Sequence, residues 1–192
     1  MDIGFREILL ILLIILILFG AKRIPEMMKA MGQIEIRGMA EQDLDEVMQI
    51  ERSSFPTPWS RRLFERELLM PYAKPFIALE VPPNQVVGYL CFWLVAQETH
   101  ILNLAVHPER RRLGIGSRLL HYGVNYSREK GAQEIILEVR RSNYKAISLY
   151  RNFHFQPRGI RPRYYSDSGE DAVIMGLLLL DQTAATWRES SS

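Results

Sequence analysis

The stretch "VHPERRRLGIGSRLL", residues 106–120, combines positive charge with glycines at the start of a helix. Arg110, Arg111 and Arg112 precede Gly114 and Gly116, and glycine lets a backbone approach a ligand closely. The first N–H groups of a helix have no partner within the helix and attract an anion. The stretch matches neither common nucleotide-binding glycine pattern, but it predicts a diphosphate-binding loop. A glycine-containing helix start beside a solvated basic cluster is the alternative.

A second chemical feature is a carboxylate within an apolar strand. Glu138 lies in "EIILEVR", residues 134–140, where a charged side chain needs either a partner or a function. One interpretation is an ion pair with Arg140 or Arg141. The other is a catalytic role as a partly desolvated proton acceptor. The residues alone favour neither interpretation.

Alternating strand and helix patterns surround these two features. Strands are predicted at "QIEIR", "FIALEV", "VVGYLCFWLVAQ", "HILNLAV" and "EIILEVR", and at about 156–165 and 171–180. Helices are predicted at 41–53, from Arg61 after a Ser60 cap, at about 116–130 and in "NYKAISLYRNF". The order β-α-α-β-β-β-α-β-α-β-β predicts one α/β or α+β domain with a mixed sheet.

Composition excludes several classes of protein. The 192 residues include one cysteine, Cys91, which excludes an intrachain disulfide and a cysteine-based metal site. Cys91 lies in the apolar run "YLCFWLV" and is predicted to be a small core residue. The formal net charge of +2 is too small to indicate nucleic-acid binding by itself, and no metal is expected.

Several separated stretches together resemble a known family. "RRLGIG", after "LNLAVHP", matches the R/Q-x-x-G-x-G/A pattern of the GNAT N-acetyltransferases, which use acetyl-CoA. "LEVRRSNYKAISLYRNFHF", "YYSDSGEDAVIM" and "IERSSFPTPWS" are similar to the bacterial RimI type, the ribosomal-protein-alanine N-acetyltransferases. The resemblance covers about residues 34–180. It implies the GNAT fold, a mixed twisted sheet flanked by helices.

The resemblance also implies roles for individual residues. Glu138 is implied as general base and Tyr150 as general acid. A strand splayed from its neighbour holds the pantetheine arm and thioester, a loop takes the diphosphate, and a helix start meets the CoA arm. The implied residues are Leu104, Ala105 and Val106 for the strand, Arg111, Arg112, Leu113, Gly114, Ile115, Gly116 and Ser117 for the loop, and Asn143 for the helix start. A helix cap at Asn143 and a core aromatic at Tyr150 are the structural alternatives.

The implied acceptor is a protein N-terminal α-amine, most specifically the N-terminal alanine of the eighteenth small-subunit ribosomal protein. A broader N-terminal or small-amine acetyltransferase is the alternative. The last two strands are implied to lie over the acceptor channel. Tyr164 and Tyr165 are expected to line the channel, and Glu51, Glu170 and Asp171 to attract a cationic N-terminus. A solvated or surface role is the alternative for each of them.

One position departs from the family pattern. The residue before the last phenylalanine of "SLYRNFHF" is usually a glycine that ends the helix in the left-handed conformation, and here it is His154. This change costs some stability unless the turn differs, although histidine tolerates positive φ better than most residues. Neither His154 nor His107 is expected to be a catalytic base.

The first 33 residues have a different character. Residues 8–19 are all Ile, Leu or Phe, about 18 Å of helix against about 30 Å of bilayer core. Their flanks lack the basic start and the small-residue cleavage site of a secretion signal. "LFGAKRIPE" resembles the TatA-type subunit of the twin-arginine translocase, which has an unusually short membrane helix and a Phe-Gly hinge. Lys22 and Arg23 place the following side in the cytoplasm.

These features predict three parts: a TatA-like membrane helix and hinge at 1–33, a GNAT domain at 34–180 and a loose polar tail at 181–192. The catalytic domain is expected at the inner face of the cytoplasmic membrane, tethered through residues 8–21. Only a short helical stretch follows the hinge, so the segment is interpreted as a TatA-like anchor fused to the enzyme and not as a subunit that translocates proteins. Two alternatives stay open. One is a translocase component with a passive cytoplasmic domain, and the other is a wrongly joined gene that leaves a cytoplasmic enzyme.

Overall fold

A computed structural model describes residues 33–179 of the chain. The predicted membrane helix, its hinge and the polar tail lie outside the described residues. The domain boundaries drawn from the sequence therefore stay predictions.

Within the described residues, the strands and helices follow the predicted order. The strands are β1 (Gln33–Gly38), β2 (Ala73–Val81), β3 (Gln85–Val95), β4 (Glu98–Val106), β5 (Glu134–Arg140), β6 (Gln156–Tyr165) and β7 (Glu170–Leu178). The helices are α1 (Leu44–Ser54), α2 (Arg61–Leu69), α3 (Ile115–Glu129) and α4 (Tyr144–Asn152). The first helix begins later than predicted because a 3-10 turn, Glu41–Asp43, precedes it. Ser60 caps α2 as predicted, accepting the Leu63 N–H at 3.3 Å.

The strands of residues 33–179 form one mixed sheet of seven, in the order β1-β2-β3-β4-β5-β7-β6. Among these described strands only the central pair, β4 and β5, is parallel, and the other neighbours are antiparallel. A parallel pair needs a crossover connection, and α3 provides it.

Helices cover both faces of the sheet. α1 and α2 pack on one face in a core that includes Leu44, Phe64 and Cys91. α3 and α4 pack on the other face around Leu119 and Phe155. β3 is buried on both sides, which explains why its sequence is continuously apolar instead of alternating. Cys91 is 2% exposed and is a core residue, as predicted.

A β-bulge interrupts β4 in the middle of the sheet. The register of β4 against β3 shifts between Ile101 and Asn103, which leaves Leu102 as an extra residue. Side chains alternate along a strand, so one extra residue exchanges the two faces. Ile101 accordingly lies in the α3 core and Ala105 in the α1 core.

Candidate active site

β4 and β5 separate from each other beyond the bulge. Their parallel pairing covers Glu98–Ile101 and Glu134–Leu137. β4 nevertheless stays paired with β3 as far as Val106, and β5 with β7 as far as Arg140. The two strands therefore open into a V in which the backbone groups of β4 face a gap. The resemblance implied a strand that splays from its neighbour, and β4 splays from β5 in this way.

Two clefts of about 570 Å³ each open at this V. The β5 cleft is lined by the diverging parts of β4 and β5, by the loop 55–59 between α1 and α2, and by the β6–β7 turn. The arginine-loop cleft is lined by the end of β4, the loop 110–117 and α4. Leu104, Asn143 and Tyr150 line both clefts. Groups that enter from different sides can therefore meet at these residues.

The arginine loop has the backbone conformation of an anion site. Arg112 and Gly114 have φ of +63° and +79°, and left-handed residues in such turns create anion-binding concavities. The Arg118 N–H donates to the Gly114 carbonyl at 3.0 Å. The N–H groups of residues 115–117 precede this bond and have no acceptor within the helix. They are available to a diphosphate.

Two of the three arginines brace the loop. Arg110 Nε lies 2.9 Å from the buried Glu80 carboxylate of β2. Arg111 donates from Nε to the Val106 carbonyl at 3.0 Å and from Nη2 to the Ser54 hydroxyl at 2.9 Å. Less of the positive charge is therefore free for a ligand than the run of arginines suggests.

Glu138 lies in the β5 cleft and is ion-paired with Arg161 of β6. Arg161 Nη2 is 3.2 Å from Glu138 Oε1, and the glutamate side chain is 20% exposed. Arg140 and Arg141, the partners suggested by the sequence, pair with other carboxylates. The prediction that Glu138 forms an ion pair with an arginine is confirmed, but the predicted partners were wrong, because the arginine is Arg161. The partial exposure leaves the carboxylate accessible from the cleft.

Tyr150 of α4 lies where the two clefts meet. Its ring centroid is 5.7 Å from that of Phe155, and the residue is 7% exposed. Burial raises the pKa of the Tyr150 hydroxyl, and Tyr165 adds to the shift. The phenol therefore keeps its proton at neutral pH. The Tyr150 ring packs in the core and also lines both clefts, so a structural role does not exclude a catalytic one.

α4 begins and ends as its sequence predicts. The Asn143 side chain accepts the Ala146 N–H at 3.1 Å, so it caps the helix while it lines both clefts. His154, just after the helix, has a left-handed φ of +66°, so histidine takes the conformation that the family's glycine usually adopts. His107 accepts the Glu109 N–H at 3.4 Å and is a loop residue, as expected. The CoA-binding role of Asn143 stays a prediction.

Glu51 of α1 lies at the β5 cleft but is completely buried. Its carboxylate accepts hydrogen bonds from the Tyr89 hydroxyl, from the Trp59 N–H at 2.6 Å and from the Asn103 amide at 3.2 Å. Desolvation raises the pKa of Glu51, and these three hydrogen bonds oppose the shift. Direct contact with an acceptor cation stays a prediction, and the carboxylate already has three donors.

The β6–β7 turn contributes a residue that the sequence analysis did not single out. Tyr164, Tyr165 and Asp167 all line the β5 cleft, and the acceptor role of the two tyrosines stays a prediction. Arg140 Nη2 lies 2.6 Å from Asp167, and the Arg140 guanidinium is 3.9 Å from the centroid of the Tyr165 ring. The only local signal was a carboxylate in "SDSGE". Carboxylates are common in turns, and nothing local indicated which cleft this one would face.

Charge and burial shift the pKa values in this turn in opposite directions. Hydrogen bonds from Arg140 and then Thr57 lower the pKa of Asp167 to about 2. Burial raises the pKa of Tyr165 to about 12, although Arg140 opposes the shift. At neutral pH the turn therefore presents a charged carboxylate and a neutral phenol.

The two acidic residues that follow the turn, at the start of β7, accept hydrogen bonds from main-chain N–H groups. Glu170 Oε1 accepts the Ser142 N–H at 2.6 Å, and Asp171 Oδ1 accepts the Arg163 N–H at 2.9 Å. Neither Glu170 nor Asp171 lines the β5 cleft. Asp167, not Glu170 or Asp171, is the turn carboxylate that faces the cleft.

The fold and the clefts define a class of protein. An anion-binding loop serves one cleft, while a carboxylate and a buried phenol serve the other, and the two clefts meet at a splayed strand. This arrangement suits a transferase that brings a phosphate-bearing donor to an acceptor.

Comparisons with known proteins agree with that class. The model of the acetyltransferase (GNAT) family matches residues 44–155. A putative [ribosomal protein bS18]-alanine N-acetyltransferase of Bacillus subtilis (strain 168) is 43% identical, over 73% of this chain and 92% of that protein. An N-alpha-acetyltransferase of Sulfolobus acidocaldarius is 32% identical, over 73% and 90%. The crystal structure of the ribosomal-protein-S18-alanine N-acetyltransferase from Escherichia coli superposes with a TM-score of 0.72 at 29% identity, over 78% and 96%.

The chain belongs to the acetyltransferase (GNAT) family and has the GNAT fold, which confirms the resemblance seen in the sequence. A second family model, of the mttA/Hcf106 family, matches residues 1–45. Most of that match falls outside the described residues. None of the helices described between residues 33 and 179 has the length and hydrophobicity of a membrane span.

Proposed function

We propose that the chain transfers the acetyl group of acetyl-CoA to the α-amino group of a protein N-terminus. The junction of the two clefts at Leu104, Asn143 and Tyr150 carries this proposal. The arginine loop suits the diphosphate of CoA, because its N–H groups and helix start attract an anion. An amine that enters through the β5 cleft reaches the donor at the junction.

Residues of the two clefts together supply the chemistry of this transfer. An α-ammonium group has a pKa of about 8 and must lose a proton before it attacks a thioester. Glu138 accepts that proton directly or through water. The amine nitrogen then bonds to the carbonyl carbon, and a backbone N–H of β4, that of Val106, holds the oxyanion. As the carbon–sulfur bond breaks, Tyr150 donates its proton or a hydrogen bond to the thiolate.

The N-terminal alanine of the eighteenth small-subunit ribosomal protein is the proposed acceptor. The Bacillus subtilis relative, at 43% identity over 92% of its length, supports this choice. The alternative is a broader N-terminal or small-amine acetyltransferase, which the Sulfolobus acidocaldarius relative supports at 32% identity.

An acetyl-transfer assay on the full-length protein tests the proposal. Acceptor peptides carry the N-terminal sequence of the ribosomal protein and differ only in the first residue. A strong preference for alanine supports the specific acceptor, and similar rates for many first residues support the broader one. Mass spectrometry of ribosomal proteins from a deletion strain is decisive, because unchanged acetylation rejects the specific acceptor.

A second candidate function is a translocase-type membrane component with a passive cytoplasmic domain. The match of residues 1–45 to the mttA/Hcf106 family favours this alternative. Calorimetric titration of the full-length protein with acetyl-CoA separates the two. Binding supports the enzyme, whereas the absence of both binding and transfer rejects it.

Attachment to the inner face of the cytoplasmic membrane is part of the proposal. Its support is the apolar run at residues 8–21 and the basic pair Lys22 and Arg23 that follows it. Fractionation of cells that express the full chain tests the attachment. Recovery in the soluble fraction without detergent would reject the tether and leave the enzyme in the cytoplasm.

A further inference from the structure

Glu51 is a buried carboxylate without a cationic partner in the described part of the chain. The residue is 0% exposed, and none of the ion pairs within 4.0 Å among residues 33–179 includes Glu51. Buried charges normally have a counter-ion, because desolvation of an ion is costly. An apolar residue of similar size often stabilises such a site better. Stability alone therefore does not explain a glutamate here.

Three hydrogen-bond donors from three different elements converge on this carboxylate. Tyr89 reaches it from β3, and the Asn103 amide reaches it at 3.2 Å from β4, directly after the bulge. The Trp59 N–H reaches it at 2.6 Å from the end of the loop 55–59. The side chain therefore joins the sheet to the loop.

Glu51 holds both ends of that loop. Its main-chain carbonyl accepts the Phe55 N–H at 3.1 Å, and its side chain accepts the Trp59 N–H. Between these two residues, Pro56 and Pro58 have no N–H to donate. Main-chain hydrogen bonds within the loop can therefore do little to fix it, and the Glu51 contacts anchor its two ends.

The loop and β4 form two walls of the β5 cleft. Residues 55–59 line the cleft from one side, and Asn103 and Leu104 line it from the other. The Glu51 carboxylate bonds to both walls, so it sets the distance between them.

We propose that Glu51 is a positioning residue that fixes the loop 55–59 against β4 and so shapes the acceptor half of the active site. This inference rests on the proposed function, because it assigns the β5 cleft to the acceptor amine. Glu51 acts through Trp59 and Asn103 and does not touch the acceptor.

The chemistry of a carboxylate suits this task. An ionised carboxylate only accepts hydrogen bonds, so both of its oxygens serve the three donors. The Glu51→Gln change turns one oxygen into a donor that faces other donors. The Glu51→Asp change keeps the charge but shortens the side chain by a methylene group, so it does not reach both walls at once.

Steady-state acetyl transfer by the full-length Glu51→Gln and Glu51→Asp variants tests the inference, with acceptor peptide and acetyl-CoA varied separately. Both variants should raise the KM of the acceptor peptide about 10- to 100-fold, because small displacements in a site have effects of that size. Their affinity for acetyl-CoA, measured by calorimetry, should equal that of the wild type.

Glu67→Gln is the matched control. Glu67 is also a buried glutamate, 2% exposed, and accepts the Trp93 Nε1–H at 2.6 Å. It lies on α2 and does not line the β5 cleft. Its variant should change thermal stability and leave the KM of the acceptor peptide unchanged.

Tyr89→Phe serves if both Glu51 variants fail to fold. It removes one donor and keeps the ring, which packs edge-on against Phe64 at 5.5 Å. A smaller rise in the acceptor KM is expected. The inference is overturned if a folded Glu51 variant has the acceptor KM of the wild type. If neither Glu51 variant folds, a wild-type acceptor KM in Tyr89→Phe overturns it. An equal rise of the acceptor KM in Glu67→Gln also overturns it. A wild-type protein that transfers no acetyl group would instead overturn the proposed function.

Discussion

The hydroxyl of Thr57 donates a hydrogen bond of 2.9 Å to the carboxylate of Asp167, and the two residues lie 110 positions apart in the chain. The bond joins the loop 55–59 to the β6–β7 turn, and both segments line the β5 cleft. Arg140 holds the same carboxylate from β5 at 2.6 Å. The two sides of the cleft are therefore tied to each other at its rim.

Loss of the Thr57 hydroxyl should loosen this tie. Thr57→Val keeps the shape of the side chain and removes the donor of this exposed hydrogen bond. The kcat/KM for the acceptor peptide should fall about five-fold, with acetyl-CoA binding unchanged. Thr57→Ser keeps the hydroxyl and is the control. Equal rates for Thr57→Val and Thr57→Ser would show that the bond has no role.

Asp167 should make stability depend on pH in acid. Its pKa of about 2 is below the ordinary value of about 4 for an aspartate. A lowered pKa means that the carboxylate contributes stability above pH 4, and that this contribution is lost as the pH falls towards 2. Asp167→Asn should therefore be less stable than the wild type at pH 7, and the difference should shrink as the pH falls from 4 through 2. Urea unfolding at a series of pH values measures it, and a constant difference would contradict the prediction.

Glu138→Gln should abolish most of the acetyl transfer. Removal of a general base lowers kcat by about 10²- to 10⁴-fold, while acetyl-CoA binding should be retained. Arg161→Gln breaks the same ion pair but leaves the carboxylate in place. It should lose far less activity. If the two variants lose equal activity, Glu138 serves only as the partner of Arg161.

Tyr150→Phe should separate the proton donor from the core aromatic. The change removes only the hydroxyl, so the packing against Phe155 and the melting temperature should be kept. Turnover should fall about 10²-fold or more, as expected for a general acid. Stopped-assay kinetics and a thermal melt of the same sample provide both readouts. Wild-type turnover would reject the role as acid.

Gly114→Ala should weaken the binding of CoA. Gly114 has φ of +79° and open space where a Cβ would lie, so the cost is one of backbone conformation, about 1 to 2 kcal/mol. Gly131 has φ of +81° and equally open space, but it lies in the turn after α3. Gly131→Ala should lose similar stability and keep its CoA affinity. Calorimetry with CoA distinguishes the two, and equal affinities would show that the loop does not hold the cofactor.

Local features of the chain could be predicted because their causes are local. The order of strands and helices and the Ser60 cap follow from residues within a turn or two of each position. The glycine loop before α3 belongs to the same group. Its conformation depends on Gly114 and on the helix start that follows it.

The partners of the site residues depend on the order of strands in the sheet. β7 inserts between β5 and β6, and Arg161 on the outer strand reaches across it to Glu138. Sequence proximity suggested Arg140 and Arg141 instead. Hydrogen bonds across 110 residues, such as that between Thr57 and Asp167, are equally invisible to local patterns.

The sequence by itself determined the family, the chain of elements and the residues expected to do the chemistry. The tertiary structure decided which side chains meet. It buried Glu51 beneath three donors, paired Glu138 with Arg161 and turned Asp167, not Glu170 or Asp171, towards the cleft. The physical reason is that helices, caps and turns form through neighbours in the chain. Ion pairs and cleft walls form through strand register and packing, which bring distant residues together.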